Sequence, residues 1–160
     1  MQVVLQRVSR ARVLVDCKEV GAIGRGLFAL VGVGRESTAD DARWLAAKVQ
    51  GLRMFPAGAA GSQVGDAAAA SRPMDASVAD IGGAILAISQ FTLYGDTRKG
   101  RRPSFVAAAP PEAAEPLYDA FCAALQVPVA RGVFGAHMVI ESVADGPVTL
   151  VLQREAGRTR

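Results

Sequence analysis

Asparagine does not occur in this sequence of 160 residues, histidine occurs once, cysteine twice and lysine three times. His137, Cys17 and Cys122 are too few for a Cys/His zinc cluster, and two cysteines argue against a disulfide framework. There is no Walker-type phosphate loop: the run from Gly21 to Gly26 reads only as a turn, because strand-like rather than helical sequence follows it. Arg7, Arg10 and Arg12 interrupt the apolar N-terminus, so no signal-peptide core forms. Apolar runs such as 27–33 fall short of the roughly 20 residues that cross a bilayer. The expectation is a protein of the reducing cytoplasm, without membrane, metal or cofactor.

What is present is globular. Apolar residues make up 51% and charged residues 21%, too hydrophobic a balance for disorder. The length suits one domain over residues 1–160, which would bury roughly 70% of its unfolded surface. A net charge of +3 permits an anionic partner without demanding one.

Valine-rich stretches at 2–8 and 12–15 read as two strands, and 26–33 is apolar on both parities, as in a strand covered on both faces. Ser37 or Thr38 can cap a helix whose first turn holds Asp40 and Asp41 and whose buried face carries Leu45, Val49 and Leu52. Residues 56–73, dense in Gly, Ala and Pro, read as a flexible surface loop. A central strand follows at 84–93. Pro110 and Pro111 open a second helix with Leu117, Phe121 and Leu125 on one face; Pro116 fits it only if it falls in the first turn. Two last strands, 136–143 and 147–153, flank Asp145-Gly146, a strong turn signal. The sum is an α+β fold: largely antiparallel sheets packed as a partial barrel or sandwich, with two main helices outside.

The usual catalytic sets are missing. His137 lies in strand-like sequence, Ser89 has no nucleophile elbow around it, and the carboxylates are scattered. An enzyme built from this chain works with backbone groups, bound water or its substrate's own atoms. The stretch that stands out is SQFTLYGDTRKGRRPSF (89–105), where a strand delivers Ser89, Gln90 and Thr92 to the root of a loop bearing Arg98, Lys99, Arg101 and Arg102. Strand ends that feed polar loops are where function tends to sit.

That stretch and DGPVTL (145–150) closely resemble the signature segments of the D-aminoacyl-tRNA deacylases, and the likeness extends through VVLQRVSRA (3–11) and GVFGAHM (132–138). It covers nearly the whole chain apart from 56–73. The resemblance implies a homodimeric editing hydrolase. Such an enzyme cuts the ester of D-aminoacyl-tRNA, or of glycine mischarged on tRNA-Ala, and spares L-aminoacyl-tRNA. It implies that Ser89, Gln90, Phe91, Thr92 and Leu93 line the pocket for the terminal adenosine and the ester. Backbone N–H groups near Phe91 and Thr92 would stabilise the oxyanion, each such donor being worth ~3 kcal/mol. Gly146 and Pro147 match a Gly-cis-Pro pair inserted into the partner subunit's active site, Arg7 matches the residue that braces it, and Met138 a pocket wall. The basic residues Arg98, Lys99, Arg101 and Arg102 would meet tRNA phosphates. The family's candidate nucleophile falls on Thr92, but no base stands near it in sequence, which favours the substrate's ribose hydroxyl instead. The chain departs from the family pattern at Asp75, His137 and Ala144.

Two other readings compete. A non-catalytic RNA-binding module would explain the basic loop, yet only nine aromatic residues are spread along the chain to stack on bases. A hydrolase of other small acyl esters on the same fold is the second.

Overall fold

The computed structural model describes residues 1–58 and 72–159. Most of the loop expected over 56–73 therefore lies outside the described residues. The first strand, β1 (Gln2–Val15), runs unbroken through both stretches read as separate strands. Its second half pairs with β2 (Lys18–Ile23), a strand where the sequence suggested only a turn. Its first half pairs with β3 (Gly26–Gly32), and along most of its length β1 also pairs with β8 (Val139–Glu155). All three pairings are antiparallel. Helix α1 (Ala39–Gly51) and the short pair β4 (Phe55–Pro56) and β5 (Met74–Ala76) lead to β6 (Ala84–Ser89), which lies parallel to β3. Helix α2 (Pro111–Ala123) leads to β7 (Val129–Arg131), parallel to β6, and β9 (Arg158–Thr159) closes the chain against the end of β8. The main sheet has seven strands in the order β7-β6-β3-β1-β8-β9, with β2 also on β1. It is mixed and does not close on itself.

The two parallel steps explain where the helices sit. Each step needs a long crossover, and crossovers are right-handed. Because β3, β6 and β7 advance in one direction across the sheet, α1 and α2 land on the same face. There they cover Val3, Leu5, Leu27, Ala29, Ile85 and Ala87, all fully buried. The alternate residues Phe28, Leu86 and Ile88 point the other way and join Val8, Val13 and Ile23 in a second core. Strand period two thus supplies both cores from the same strands.

Helix α1 begins at Thr38, whose Oγ1 accepts from the Asp41 amide at 3.2 Å while the Asp41 carboxylate accepts from the Thr38 amide at 2.9 Å. Asp41 is fully buried and also accepts from the amides of Ala156 and Gly157, at 3.1 and 3.0 Å, so one carboxylate ties the helix start to the C-terminal turn. In α2, Tyr118 is buried and donates its hydroxyl to the Ala87 carbonyl at 2.9 Å, fixing the helix onto β6. Pro116 stands within this helix past its first turn, not in it as expected. It is exposed, as is Glu112, whose carbonyl loses its helical partner to the proline.

Two further readings need correction. The strand placed at 84–93 ends at Ser89, and Phe91–Tyr94 forms a 3₁₀ turn. The strands placed at 136–143 and 147–153 are one strand, and Asp145-Gly146 does not reverse the chain. The pairing shows why. Between the paired positions Gln6 and Val8 of β1 stands only Arg7, whereas Asp145, Gly146, Pro147 and Val148 stand between the matching Ala144 and Thr149 of β8. The excess chain arches out and β8 then continues in its original direction. Among the described residues no helix is long and apolar enough to cross a membrane.

Candidate active site

The parallel strands β3 and β6 end side by side. The Gln90 amide donates to the Val31 carbonyl at 2.8 Å as the last rung between them, and the chain then tightens into the Phe91–Tyr94 turn. Within that turn the Gly95 amide donates to the Thr92 carbonyl at 3.0 Å. The first amides of a helical turn find no partner inside it, and those of Phe91 and Thr92 hold these places. The Gln90 side-chain amide donates to Thr92 Oγ1 at 2.5 Å. A neutral amide cannot take the hydroxyl's proton, so this contact orients Thr92 without activating it.

Beyond the strand ends lies a cavity of about 660 Å³. Open sheets bind ligands at the carboxyl ends of their parallel strands, and this cavity occupies that place. Ser89, Gln90 and Phe91 line one side, His137 and Met138 another, and Phe105 meets Phe91 edge to face with ring centroids 5.2 Å apart at 72°. Both rings are exposed, 58% for Phe91 and 38% for Phe105, which leaves aromatic surface at the rim free to meet a flat ligand. Among the described residues no carboxylate lines the cavity. The partnership of Phe91 with Phe105 was not legible in the sequence. It arises because the Asp96 and Ser104 backbones exchange hydrogen bonds of 2.7 and 2.9 Å, pinching off the basic loop and returning Phe105 to the strand end. Arg35 and Phe134 also line the cavity without having been singled out.

The basic loop itself is exposed. Its four cations are not equivalent. Arg98 is held by Asp96 through contacts of 2.9 and 2.6 Å, and that side-chain hydrogen bond, joined by one from the Arg98 amide, keeps the Asp96 carboxyl at about 2. Lys99, Arg101 and Arg102 carry the loop's remaining positive charge.

The third element is the arch in β8. The Gly146–Pro147 peptide bond is cis. Gly146 has φ +125°, a conformation that favours glycine, and a Cβ there would lie 2.8 Å from Arg7 Nη2 and 3.0 Å from Val148 Cγ2. Arg7 is 6% exposed and grips the base of the arch, with Nε donating to the Asp145 carbonyl at 3.0 Å and lying 3.4 Å from the Asp145 carboxylate. Its Nη1 donates to the Met54 carbonyl at 2.8 Å.

Of the residues singled out in the sequence, Ser89, Gln90, Phe91 and Met138 share the cavity, with Thr92 and Leu93 in the turn at its edge. Arg7 on β1 and Gly146 and Pro147 on β8 come together elsewhere and do not line that cavity within one chain. Ala144 is the last paired residue before the arch, His137 lines the cavity, and Asp75 pairs with Arg53 at the surface, 2.8 Å away.

Residues 4–153 match the family described as D-Tyr-tRNA(Tyr) deacylase. A D-aminoacyl-tRNA deacylase of Anaeromyxobacter dehalogenans (strain 2CP-C) is 52% identical over 155 residues, covering 95% of this chain and 96% of its own. One from Thermotoga petrophila (strain ATCC BAA-488 / DSM 13995 / JCM 10881 / RKU-1) is 48% identical over 155 residues, covering the same 95% and 96%. The solved structure of a c-Myc DNA unwinding element binding protein superposes with a TM-score of 0.84 at 36% identity, covering 98% of this chain and 100% of that one.

Proposed function

The chain belongs to the D-Tyr-tRNA(Tyr) deacylase family, and from that premise we propose that it hydrolyses the ester of D-aminoacyl-tRNA at the cavity beyond Ser89. Water adds to the ester carbonyl, the bond from that carbon to the ribose oxygen breaks, one of the water's protons passes to the ribose oxygen, and the amino acid leaves as its carboxylate with the other proton released to solvent. The terminal adenosine stacks against the exposed rim aromatics, where stacking of a base is worth about 1–3 kcal/mol. The amides of Phe91 and Thr92 face the developing oxyanion, a preorganised dipole arrangement that lowers the barrier. With no carboxylate lining the cavity among the described residues and Thr92 oriented by the Gln90 amide, the substrate's own ribose hydroxyl is the better source of activation.

The observation that carries this reading is the braced Gly146–Pro147 arch on β8. In the proposal it inserts into the cavity of a second copy and presents backbone to the substrate's amino acid, leaving space for a D side chain or for glycine and none for an L side chain. Selection by a wall of backbone rejects a shape rather than recognising a side chain, so glycine mischarged on tRNA-Ala is cleaved too. Exposed Val139, Val143, Leu150 and Val151 on the same strand favour the homodimer, since apolar surface along a sheet edge invites pairing. Lys99, Arg101 and Arg102 contact acceptor-stem phosphates.

Incubating the protein with D-tyrosyl-, glycyl- and L-tyrosyl-tRNA and following ester loss tests the proposal. Cleavage of the first two and survival of the third is the expected result. Efficient cleavage of the L-ester would overturn the selection argument, and loss of none would leave an RNA-binding module as the better reading.

A further inference from the structure

The Phe91–Tyr94 turn is anchored at its far end by contacts that the proposed chemistry does not use. The Tyr94 hydroxyl donates to Glu155 Oε1 at 2.8 Å. That same oxygen lies 4.0 Å from the α-amino group of Met1, which also donates to the Arg154 carbonyl, and the Met1 side chain is fully buried. Beneath the turn, β3 and its exit supply Gly32 and Gly34. A Cβ at Gly34 would come within 2.6 Å of Tyr94 Cζ, and one at Gly32 within 3.1 Å of both the Gln90 carbonyl and Leu93 Cβ. Only bare backbone at these two positions lets the turn sit so low. Tyr94 itself does not line the cavity.

We propose that Tyr94 is a positioning residue for hydrolysis: its hydroxyl, fastened to Glu155, fixes the height and tilt of the turn that carries Thr92 and the Phe91 and Thr92 amides. This rests on the deacylase reading of the cavity. The anchor stands two residues beyond Thr92 and joins the turn to both ends of the chain, so it restrains the turn as a lever rather than by touching substrate. Misplacing a catalytic group by about 1 Å can cost on the order of 10²-fold in rate.

The test is Tyr94→Phe, which keeps the ring over Gly34 and removes only the hydroxyl. We expect kcat on D-aminoacyl-tRNA to fall about tenfold or more with KM within about twofold, the pattern of an interaction expressed in the transition state. Amide exchange at Leu93 and Gly95 should accelerate while exchange in β1 and β3 stays as it was, a local and not a global opening. Glu155→Ala should reproduce both effects at least as strongly, because it also releases the Met1 amine, and adding Tyr94→Phe to it should lower kcat little further, because the hydroxyl then has no carboxylate to hold it. Glu155→Gln keeps an oxygen for the Tyr94 hydroxyl and should restore most of kcat. An active wild type whose Tyr94→Phe variant keeps its kcat, or whose exchange at Leu93 and Gly95 is unchanged, overturns the positioning role alone. A merely structural role would lower global stability with kcat of the folded enzyme intact, which also overturns it. A wild type inactive on every D-aminoacyl-tRNA sinks the deacylase reading and, with it, positioning for that reaction; faster exchange in Tyr94→Phe would then mark an anchor without this chemistry.

Discussion

Arg7 Nε donates to the Asp145 carbonyl at 3.0 Å while Nη1 of the same guanidinium donates to the Met54 carbonyl at 2.8 Å. One buried side chain therefore ties the β8 arch to the segment that follows α1. Arginine suits this because its planar fork offers several donors in fixed directions, and a lysine could not reach both carbonyls in the same geometry. Removing it leaves the half-buried Asp145 carboxylate and two carbonyls short of a partner. Arg7→Ala is expected to destabilise the fold by about 3 kcal/mol, measured by denaturant unfolding, and to depress D-aminoacyl-tRNA cleavage in the protein that remains folded. Arg7→Lys should recover part of the stability and less of the activity. A loss of stability under roughly 0.5 kcal/mol, the range of an ordinary surface substitution, would mean that Arg7 does not brace the arch.

Gly146→Ala tests the arch itself. Its φ of +125° is closed to most L-residues, and the added methyl would stand 2.8 Å from Arg7 Nη2. The arch must shift, so cleavage of D-esters is expected to fall, with L-esters still refused because the wall becomes bulkier rather than thinner. Gain of L-ester cleavage would show that rejection comes from elsewhere in the site.

How far the sequence alone reaches can be seen in these residues. Thr38 and Asp41 announce α1 because capping is local chemistry, three residues apart, and the helix begins where they place it. Leu45 and Val49 are buried as their spacing demands. The 3₁₀ turn at Phe91 was hidden because apolar sequence continues past Ser89 and period alone does not separate a strand from a tight turn. Asp145-Gly146 misled for the opposite reason: glycine with positive φ serves an outward arch as well as a hairpin, and only the pairing of Gln6 and Val8 with a distant strand decides between them. The grouping of Arg7 with Gly146 was legible only through the family resemblance. The meeting of Phe91 with Phe105 depends on pairing across the basic loop, which no local pattern encodes.

Thr92→Ala should leave substantial deacylation. The hydroxyl's partner is the Gln90 amide at 2.5 Å, which orients it but cannot deprotonate it. If backbone donors and the ribose hydroxyl carry the reaction, the variant loses positioning only, and a drop of about tenfold or less in kcat is expected, below the 10²–10⁴-fold typical of losing a general acid or base. Trapping an acyl group on Thr92 of the wild type, together with an inert alanine variant, would make the threonine a nucleophile.

Asp41 predicts an acid limb of stability. Burial by itself would raise its pKa, but hydrogen bonds from the Gly157 amide and from the Thr38 hydroxyl and amide outweigh that, and the net shift is below the ordinary 3.8. The folded state thus binds fewer protons than the unfolded one in this range, and stability falls as pH falls. The contribution is complete above 3.8 and is lost as pH passes down through the folded-state value. Asp41→Asn should be less stable at neutral pH and show a shallower decline below pH 3.8 than the wild type, followed by urea midpoints. Parallel declines in the two proteins would assign the acid limb to other carboxylates.

The basic loop should govern affinity and not chemistry. Arg98 spends its charge on Asp96, at 2.6 Å, so the cations open to phosphate are Lys99, Arg101 and Arg102. All three are exposed and none lines the cavity, so in the proposal they meet the tRNA backbone rather than the ester. Each phosphate contact contributes about 0.7–0.9 to the log–log dependence of binding on salt. Replacing Arg101 and Arg102 together by alanine is therefore expected to raise KM, leave kcat nearly as it was, and flatten that dependence by about 1.4–1.8. Arg98→Ala should do much less on all three counts, because it removes a cation that is already paired. Equal effects from the two variants would mean that Asp96 releases Arg98 when tRNA binds, and an unchanged salt slope in the double variant would take the loop out of the tRNA path altogether.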